Sequence, residues 1–239
     1  MAAPAALPRA VGVSEFLDAP VPLRELEENL RDLGRLNRLF GGSWLVCAQL
    51  GRLVKEIPAD QPVTILDVGT GGADLPMALV RWARRRGRRI RVLALDRSDQ
   101  VLAVARRLAA EYPEIAFVQG DGLSLPVAGE AVDVALASLT LHHLEPTDGS
   151  VLLSELDRVG RGGFVVNDLM RSRVAYSLVW FATRLFTRSQ AARHDGPLSV
   201  LRAYTPDEIQ DLARRAGLSR ISILRYSWLC RLAAVRRKG

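Results

Sequence analysis

Cysteine, lysine and histidine are all scarce in this 239-residue chain, and each scarcity excludes something. The two cysteines, Cys47 and Cys230, cannot build a disulfide scaffold or a multi-cysteine zinc site. A reducing compartment is therefore expected, with no resident metal. No apolar run approaches the roughly 20 residues that span a bilayer. The opening MAAPAALPRAVGV has no early basic cluster and is interrupted by Pro4 and Pro8. It does not read as a signal peptide, so a cytoplasmic location is expected. Only two of the 33 basic residues are lysines, Lys55 and Lys238; the remainder are arginines. Histidine occurs three times, at 142, 143 and 194. An apolar share of 49% with 25% charged residues excludes global disorder, and the length favours one domain with an appendage.

Residues 1–20 are Ala/Pro-rich and aperiodic, and read as a flexible lead. Residues 21–58 read as a helical cap. Leu23, Leu26, Leu30, Leu33 and Leu36 mark a helix over about 22–39, stopped by Gly41-Gly42, and a second helix covers about 43–56. From 59 onward strand and helix patterns alternate. VTILDV (63–68), IRVLALD (90–96), IAFVQG (115–120), VDVALAS (132–138) and GGFVVND (162–168) are strand candidates. Such alternation predicts an α/β fold, a parallel sheet with helices on both faces. Thr205, Pro206 and Glu208 spell a capping box for a late helix stopped by Gly217. Two strand-like pieces, about 219–225 and 228–235, are too closely joined to be parallel and should form an edge hairpin.

The first strand runs into Asp67-Val68-Gly69-Thr70-Gly71-Gly72-Ala73-Asp74. Glycines permit a tight turn and close approach of a ligand, and the next helix start offers free amides. A dinucleotide fingerprint wants a small residue where Asp74 stands, and a carboxylate there repels pyrophosphate. With Asp67 it favours a ligand bearing ammonium or sulfonium and no phosphate. No Gly-Lys-Ser/Thr follows, so a P-loop is excluded. Asp96 ends the second strand, where a carboxylate can accept both ribose hydroxyls. Asp121, in Gly120-Asp121-Gly122, falls on the same sheet edge.

These motifs together resemble the class I S-adenosylmethionine-dependent methyltransferases over about residues 60–236. ILDVGTGGADLP is similar to their first motif, LALDRS to the acidic ribose-binding strand end, and QGDGLSLP to the adenine-proximal loop. VDVALASLTLHHL resembles their fourth strand and substrate-side loop, and Ala73 replaces the third glycine of the usual pattern. The resemblance implies a Rossmann-like, seven-stranded, mostly parallel sheet with a terminal antiparallel hairpin. It implies S-adenosyl-L-methionine as cofactor, held by Asp67, Gly69, Thr70, Gly71, Gly72 and Asp74, by Asp96 and Arg97 at the ribose, by Asp121 and Gly122 near adenine, and by Ser138. The flavour of the first motif and LHHL is nearest to small-molecule enzymes related to quinone biosynthesis. LRDLGRLNRLFGG and HDGPLSVLRAYTPDEI are also similar to bacterial enzymes of phenolic or polyketide methylation.

A methyl acceptor that attacks through oxygen benefits from a general base, and histidine is the first candidate. His143 and His142 follow the fourth strand at the reacting edge; His194 lies later, beside Asp195, in a substrate-side insertion of about 170–204. Asn167, Asp168 and Arg171 at the fifth strand end are candidates for substrate contact, as are Asn37, Arg38, Tyr176, Trp180 and Tyr204. The apolar segment 174–186 reads either as a core helix or as a lid over an apolar pocket, with Leu178, Phe181 and Leu185 on one face.

The arginines at 81, 84, 85, 86, 88, 89 and 91 fall on the edge opposite the cofactor motifs, so a nucleic acid bound there could not present a base to the methyl group. The expected acceptor is a small aromatic or lipid-like molecule, methylated at oxygen. Carbon methylation of quinone type, RNA methylation and non-catalytic cofactor binding are the alternatives. Arg236, Arg237 and Lys238 add to a weak attraction for an anionic membrane surface.

Overall fold

A computed structural model describes residues 7–13, 21–187 and 189–238. Two helices, α1 (Leu23–Leu39) and α2 (Gly42–Leu53), precede β1 (Val63–Val68), α3 (Asp74–Arg84), β2 (Ile90–Asp96), α4 (Asp99–Leu108), β3 (Ile115–Gln119) and β4 (Val134–Ser138). Then come α5 (Pro146–Val159), β5 (Gly163–Leu169), α6 (Arg173–Phe186), α7 (Gln190–Arg202), α8 (Pro206–Arg215), β6 (Ser222–Tyr226) and β7 (Arg231–Arg237). The strands form one sheet in the order β3-β2-β1-β4-β5-β7-β6. The first five are parallel, and β7 enters antiparallel between β5 and β6. The expected terminal hairpin is thus present, its second strand inside the sheet and its first at the edge.

Both faces of the sheet are buried, as its apolar strands require. Along β1, Val63 and Ile65 pack with Leu50 and Leu79 from α2 and α3. Leu66 and Val68 point the other way, toward Leu152, Leu156 and Ile209 from α5 and α8. The cap helix α1 buries Leu26 and Leu30 against Val104 of α4. The capping box of α8 forms as read: the Glu208 N–H donates to Thr205 Oγ1, and the Thr205 N–H donates to Glu208 Oε2 at 2.7 Å.

Residues 7–13 of the supposed flexible lead are pinned. Arg9 donates to the carbonyls of Arg202 and Leu144, both at 2.8 Å, and stacks on the Tyr204 ring. Residues 1–6 and 14–20 lie outside the described residues. His194 and Asp195 lie on α7, which carries Gly196-Pro197 in its interior. Arg171 acts as a strut. Its Nε donates to Leu7 O (2.7 Å), Nη1 to Ala203 O (2.6 Å) and Nη2 to Glu208 Oε1 (2.6 Å), so its guanidinium is occupied within the fold.

Arg171 joins the leading segment, the end of α7 and the α8 cap, and it is buried. Removing it leaves two buried carbonyls and a capping carboxylate without their donor. We expect Arg171→Met to lower unfolding free energy by about 2–4 kcal/mol, the range for losing buried charge-assisted hydrogen bonds. Urea denaturation checks this; an unchanged midpoint removes the strut.

Candidate active site

The strand order reverses between β1 and β4, and ligands of open α/β sheets bind at the carboxyl ends of strands beside such a point. The turn after β1 is tied to β2: the N–H groups of Gly69 and Thr70 both donate to Leu95 O at 2.9 Å. Gly69 (φ +71°) and Gly71 (φ +53°) adopt left-handed backbone. A Cβ on Gly69 would lie 2.6 Å from Thr140 Oγ1, so the β4 loop approaches as closely as a bare backbone allows. Asp96 is held at the mouth of this turn, accepting from Gly71 N–H and Ser98 N–H, each at 3.1 Å. Arg97 follows it, exposed. Asp121 is exposed after β3 and accepts from Leu123 N–H at 2.9 Å, with Gly122 packed near Val68. Ser138 ends β4 and accepts from Asn167 Nδ2 at 2.8 Å.

The two carboxylates of the turn differ. Asp67 is buried and its Oδ1 has no hydrogen-bond partner. Burial pushes its pKa up to about 7; the nearby Thr70 hydroxyl opposes this, while Asp74 and Asp96 add to it. An orphaned buried carboxylate oxygen beside an open glycine turn fits a cationic ligand group. Asp74 is turned toward α1 and accepts from Asn37 Nδ2 at 2.7 Å. Burial raises its pKa too, opposed by Asn37 and by the nearby Arg231. Asp74 borders a cleft of about 230 Å³ that is also lined by Gly72, Arg31, Arg35, Arg38 and Arg81.

A second cavity, about 130 Å³, lies between α1, α6 and α7. Leu33, Leu36, Phe40, Leu139, Leu169 and Val179 make most of its wall, and Asn37, His142, His143 and Arg231 are its polar members of note. His142 and His143 sit in a 3-10 turn at Leu141–His143, with rings 4.2 Å apart and tilted by 35°. His142 is buried, and its Nδ1–H donates to Asp168 Oδ1 at 2.7 Å. Its backbone N–H donates to Asp168 Oδ2 at 3.0 Å. His143 is exposed and lines the cavity. Burial drives its pKa well below the ordinary value, helped by His142, Arg202 and Arg97.

The other candidates are dispersed. His194 is on the outer side of α7, its side chain 58% exposed, with Nδ1 2.9 Å from Asp195 Oδ1. Tyr204 donates its hydroxyl to Leu144 O at 2.7 Å, and burial pushes its pKa up to about 12, so it packs as structure. Tyr176 packs with Val200 and Cys230, and Trp180 is covered by the Arg184 guanidinium at 3.7 Å. Asn167 and Asp168 lie buried behind the wall, bonded to Ser138 and His142. The segment 174–186 satisfies neither earlier reading alone: Val179 and Thr183 line the cavity, while Val174, Leu178, Phe181 and Leu185 are exposed. Sequence reasoning missed Arg231 because nothing local marks a β-hairpin arginine as buried. The arginine run faces the far edge and is engaged within the chain: Arg81 with Tyr112, Arg84 with Glu114, Arg88 with Ile57 O.

Comparison with known proteins agrees with this layout. Residues 65–163 match a family model described as a methyltransferase domain. The chain is 29% identical over 177 residues to a 2-phytyl-1,4-naphtoquinone methyltransferase of Thermosynechococcus vestitus, covering 70% of this chain and 76% of that protein. It is 33% identical over 136 residues to a malonyl-[acyl-carrier protein] O-methyltransferase of a Marinomonas species, covering 55% of this chain and 48% of the relative. Among solved structures, human N-acetylserotonin methyltransferase in complex with S-adenosylmethionine superposes with a TM-score of 0.64 at 17% identity, over 91% of this chain and 57% of that one.

The Asp67 environment sets a pH dependence. An acid whose pKa is higher folded than unfolded holds its proton more tightly when folded. Its contribution is complete below the unfolded value, 3.8, and is lost as pH rises through about 7. Between pH 5 and pH 8 the Asp67 contribution should fall by about 2–3 kcal/mol. Urea denaturation of wild type and Asp67→Asn at both pH values checks this. The wild-type loss should exceed that of the variant by this amount, and parallel losses refute the raised pKa.

Proposed function

Because the chain belongs to the class I S-adenosylmethionine-dependent methyltransferases, we propose that it methylates a hydroxyl oxygen of a small aromatic or lipid-like acceptor held in the apolar cavity. The cofactor supplies an electrophilic methyl group. Gly69, Thr70, Gly71 and Gly72 form the cradle, with Asp67 and Asp74 beneath. Asp96 and Arg97 lie toward the ribose, Asp121 and Gly122 near adenine, and Ser138 at the reacting edge.

The observation that carries the reading is the buried His142–Asp168 pair on the cavity wall. With Nδ1–H given to Asp168, Nε2 keeps the lone pair. That nitrogen takes the acceptor's hydroxyl proton, and Asp168 stabilises the imidazolium that results. Burial, Arg97 and Arg202 oppose the charging of His143. The geometry thus favours His142 over His143 as base, with neutral His143 stacked on it as a wall. His194, on the outer side of α7, takes no part. The relative acting on a naphthoquinone favours a second reading, carbon methylation of a quinol-type ring, in which the same base removes a ring hydroxyl proton.

No helix among the described residues is long and apolar enough to cross a membrane. The exposed α6 stripe, Val174, Leu178, Phe181 and Leu185, is flanked by Arg173 and Arg184 and suits peripheral contact with an anionic bilayer. A lipid-like acceptor would reach the cavity along the inner face of the same helix.

Three outcomes follow. Asp96→Ala should weaken S-adenosylmethionine binding by about 1–3 kcal/mol in calorimetry, since a charge-assisted acceptor is removed; unchanged affinity takes Asp96 out of the site. His142→Ala should lower turnover by roughly 10²–10⁴-fold with cofactor affinity within a factor of two, assayed with labelled cofactor on extracted acceptor. Near-wild-type turnover ends the base assignment, and mass fragmentation of the product separates O- from C-methylation. Phe181→Ser with Leu185→Ser should abolish co-sedimentation with phosphatidylglycerol vesicles; equal sedimentation of variant and wild type removes the membrane face.

A further inference from the structure

The cavity is mostly apolar, and two of its polar lining residues, Arg231 and Asn37, are left incomplete. Arg231 opens β7 immediately after Cys230, a residue in left-handed backbone. Its side chain is 3% exposed and belongs to the cavity lining. Nε donates to Phe40 O at 3.2 Å, whereas Nη1 is buried with no hydrogen-bond partner. Asp74 and Asp168 are the anions that act on it from a distance, and no ion pair joins it to either among the described residues. Burial lowers its pKa to about 10. Asn37, 4% exposed, also lines the cavity, and its Oδ1 is likewise buried and unpartnered. The two groups meet at Gly42: a Cβ there would lie 1.9 Å from Asn37 Oδ1 and 3.0 Å from Arg231 Nη1, so both side chains pack against bare glycine backbone.

A buried guanidinium without a counter-ion is costly, and folded proteins seldom leave one so unless a ligand completes it. The planar fork of arginine matches a carboxylate or phenolate better than any neutral group. We infer that Arg231 is the anchoring residue for an anionic oxygen, carboxylate or phenolate, on an otherwise apolar acceptor. Asn37 Oδ1 accepts from a neighbouring hydroxyl of the same molecule, and its Nδ2 keeps its bond to Asp74. The inference rests on the reading of this cavity as the acceptor site. The cofactor carries a carboxylate of its own, so the test must separate the two sources.

Calorimetry with 2-naphthoate and its uncharged counterpart 2-naphthamide, on wild type and Arg231→Met, makes that separation. Wild type should bind naphthoate at least tenfold more tightly than naphthamide, and the ratio should fall to about one in Arg231→Met. S-adenosylhomocysteine, which retains the amino-acid carboxylate, should bind both proteins within a factor of two. The ligand-free melting temperature of Arg231→Met should be unchanged or higher, because an uncompensated buried charge is replaced by an apolar chain of similar length. Equal binding of the two probes to wild type overturns the anchor while leaving the cavity reading in place. A ratio that survives in the variant overturns it as well. Tenfold weaker S-adenosylhomocysteine binding assigns the anion to the cofactor and overturns it for the acceptor. A variant that melts lower or fails to fold makes Arg231 a strut. If neither probe binds wild type, the acceptor-cavity reading falls and this inference falls with it.

Discussion

The reacting end of this molecule hangs on one buried carboxylate. Asp168 accepts from His142 twice, through backbone N–H and Nδ1–H, and from the Leu169 N–H at 2.7 Å. Those bonds clamp the loop after β4 onto the end of β5, so the histidine pair and the cavity wall keep one geometry. Asp168 pairs across the sheet with Leu232, which brings Arg231 of β7 to the same corner. An antiparallel strand inserted beside β5 therefore does more than extend the sheet: it delivers a cation to the back of the cavity. The bonds to Asp168 are strong because the carboxylate is shut away from water, where charge-assisted hydrogen bonds gain most.

The cofactor side depends on a different constraint, the close approach of two strand-end loops. Gly69 must be glycine because Thr140 stands where its Cβ would be, and Thr140 is held there by hydrogen bonds to the carbonyls of Val68 and Ser138. The cap helix closes the turn from outside, with Leu30 against Gly72 and Asn37 on Asp74. The α1 segment thus belongs to the site through packing as well as through its polar residues. A substitution that loosens Leu30 would disturb the turn without touching any ligand.

What was legible in the sequence was what local chemistry dictates. Strand ends carrying Asp67, Asp96 and Asp121, glycines at the first turn, and the Thr205–Glu208 box each express themselves within a few residues. The strands and most of the helices followed from periodicity for the same reason. What was not legible depends on partners far away in the chain. Arg171 finds Leu7 and Glu208, and Tyr204 finds Leu144, none of which any spacing announces. Helix α7 was hidden by Gly196-Pro197, which reads as a breaker. The glycine is there because a side chain would strike Thr183 of α6 at 2.7 Å, so a packing need between two helices looked like a loop signal. His194 is carried outward on α7 while Asp195 beside it is buried.

Unsatisfied buried polar atoms gather at the carboxyl edge of the sheet, although Arg88 Nη1 at the opposite edge is one as well. At the carboxyl edge, Asn37 Oδ1, Asp67 Oδ1, Asn167 Oδ1 and Arg231 Nη1 are all buried without partners. Each costs stability, which Thr70 beside Asp67 and the carboxylates of Asp74 and Asp168 near Arg231 offset only in part. At the opposite edge the arginines are spent on carbonyls, on Tyr112 and on Glu114. A chain with 31 arginines had ample means to satisfy a carboxylate such as Asp67, yet the guanidiniums gathered elsewhere. The large two-faced core supplies the stability that lets the carboxyl edge remain incomplete until its ligands arrive.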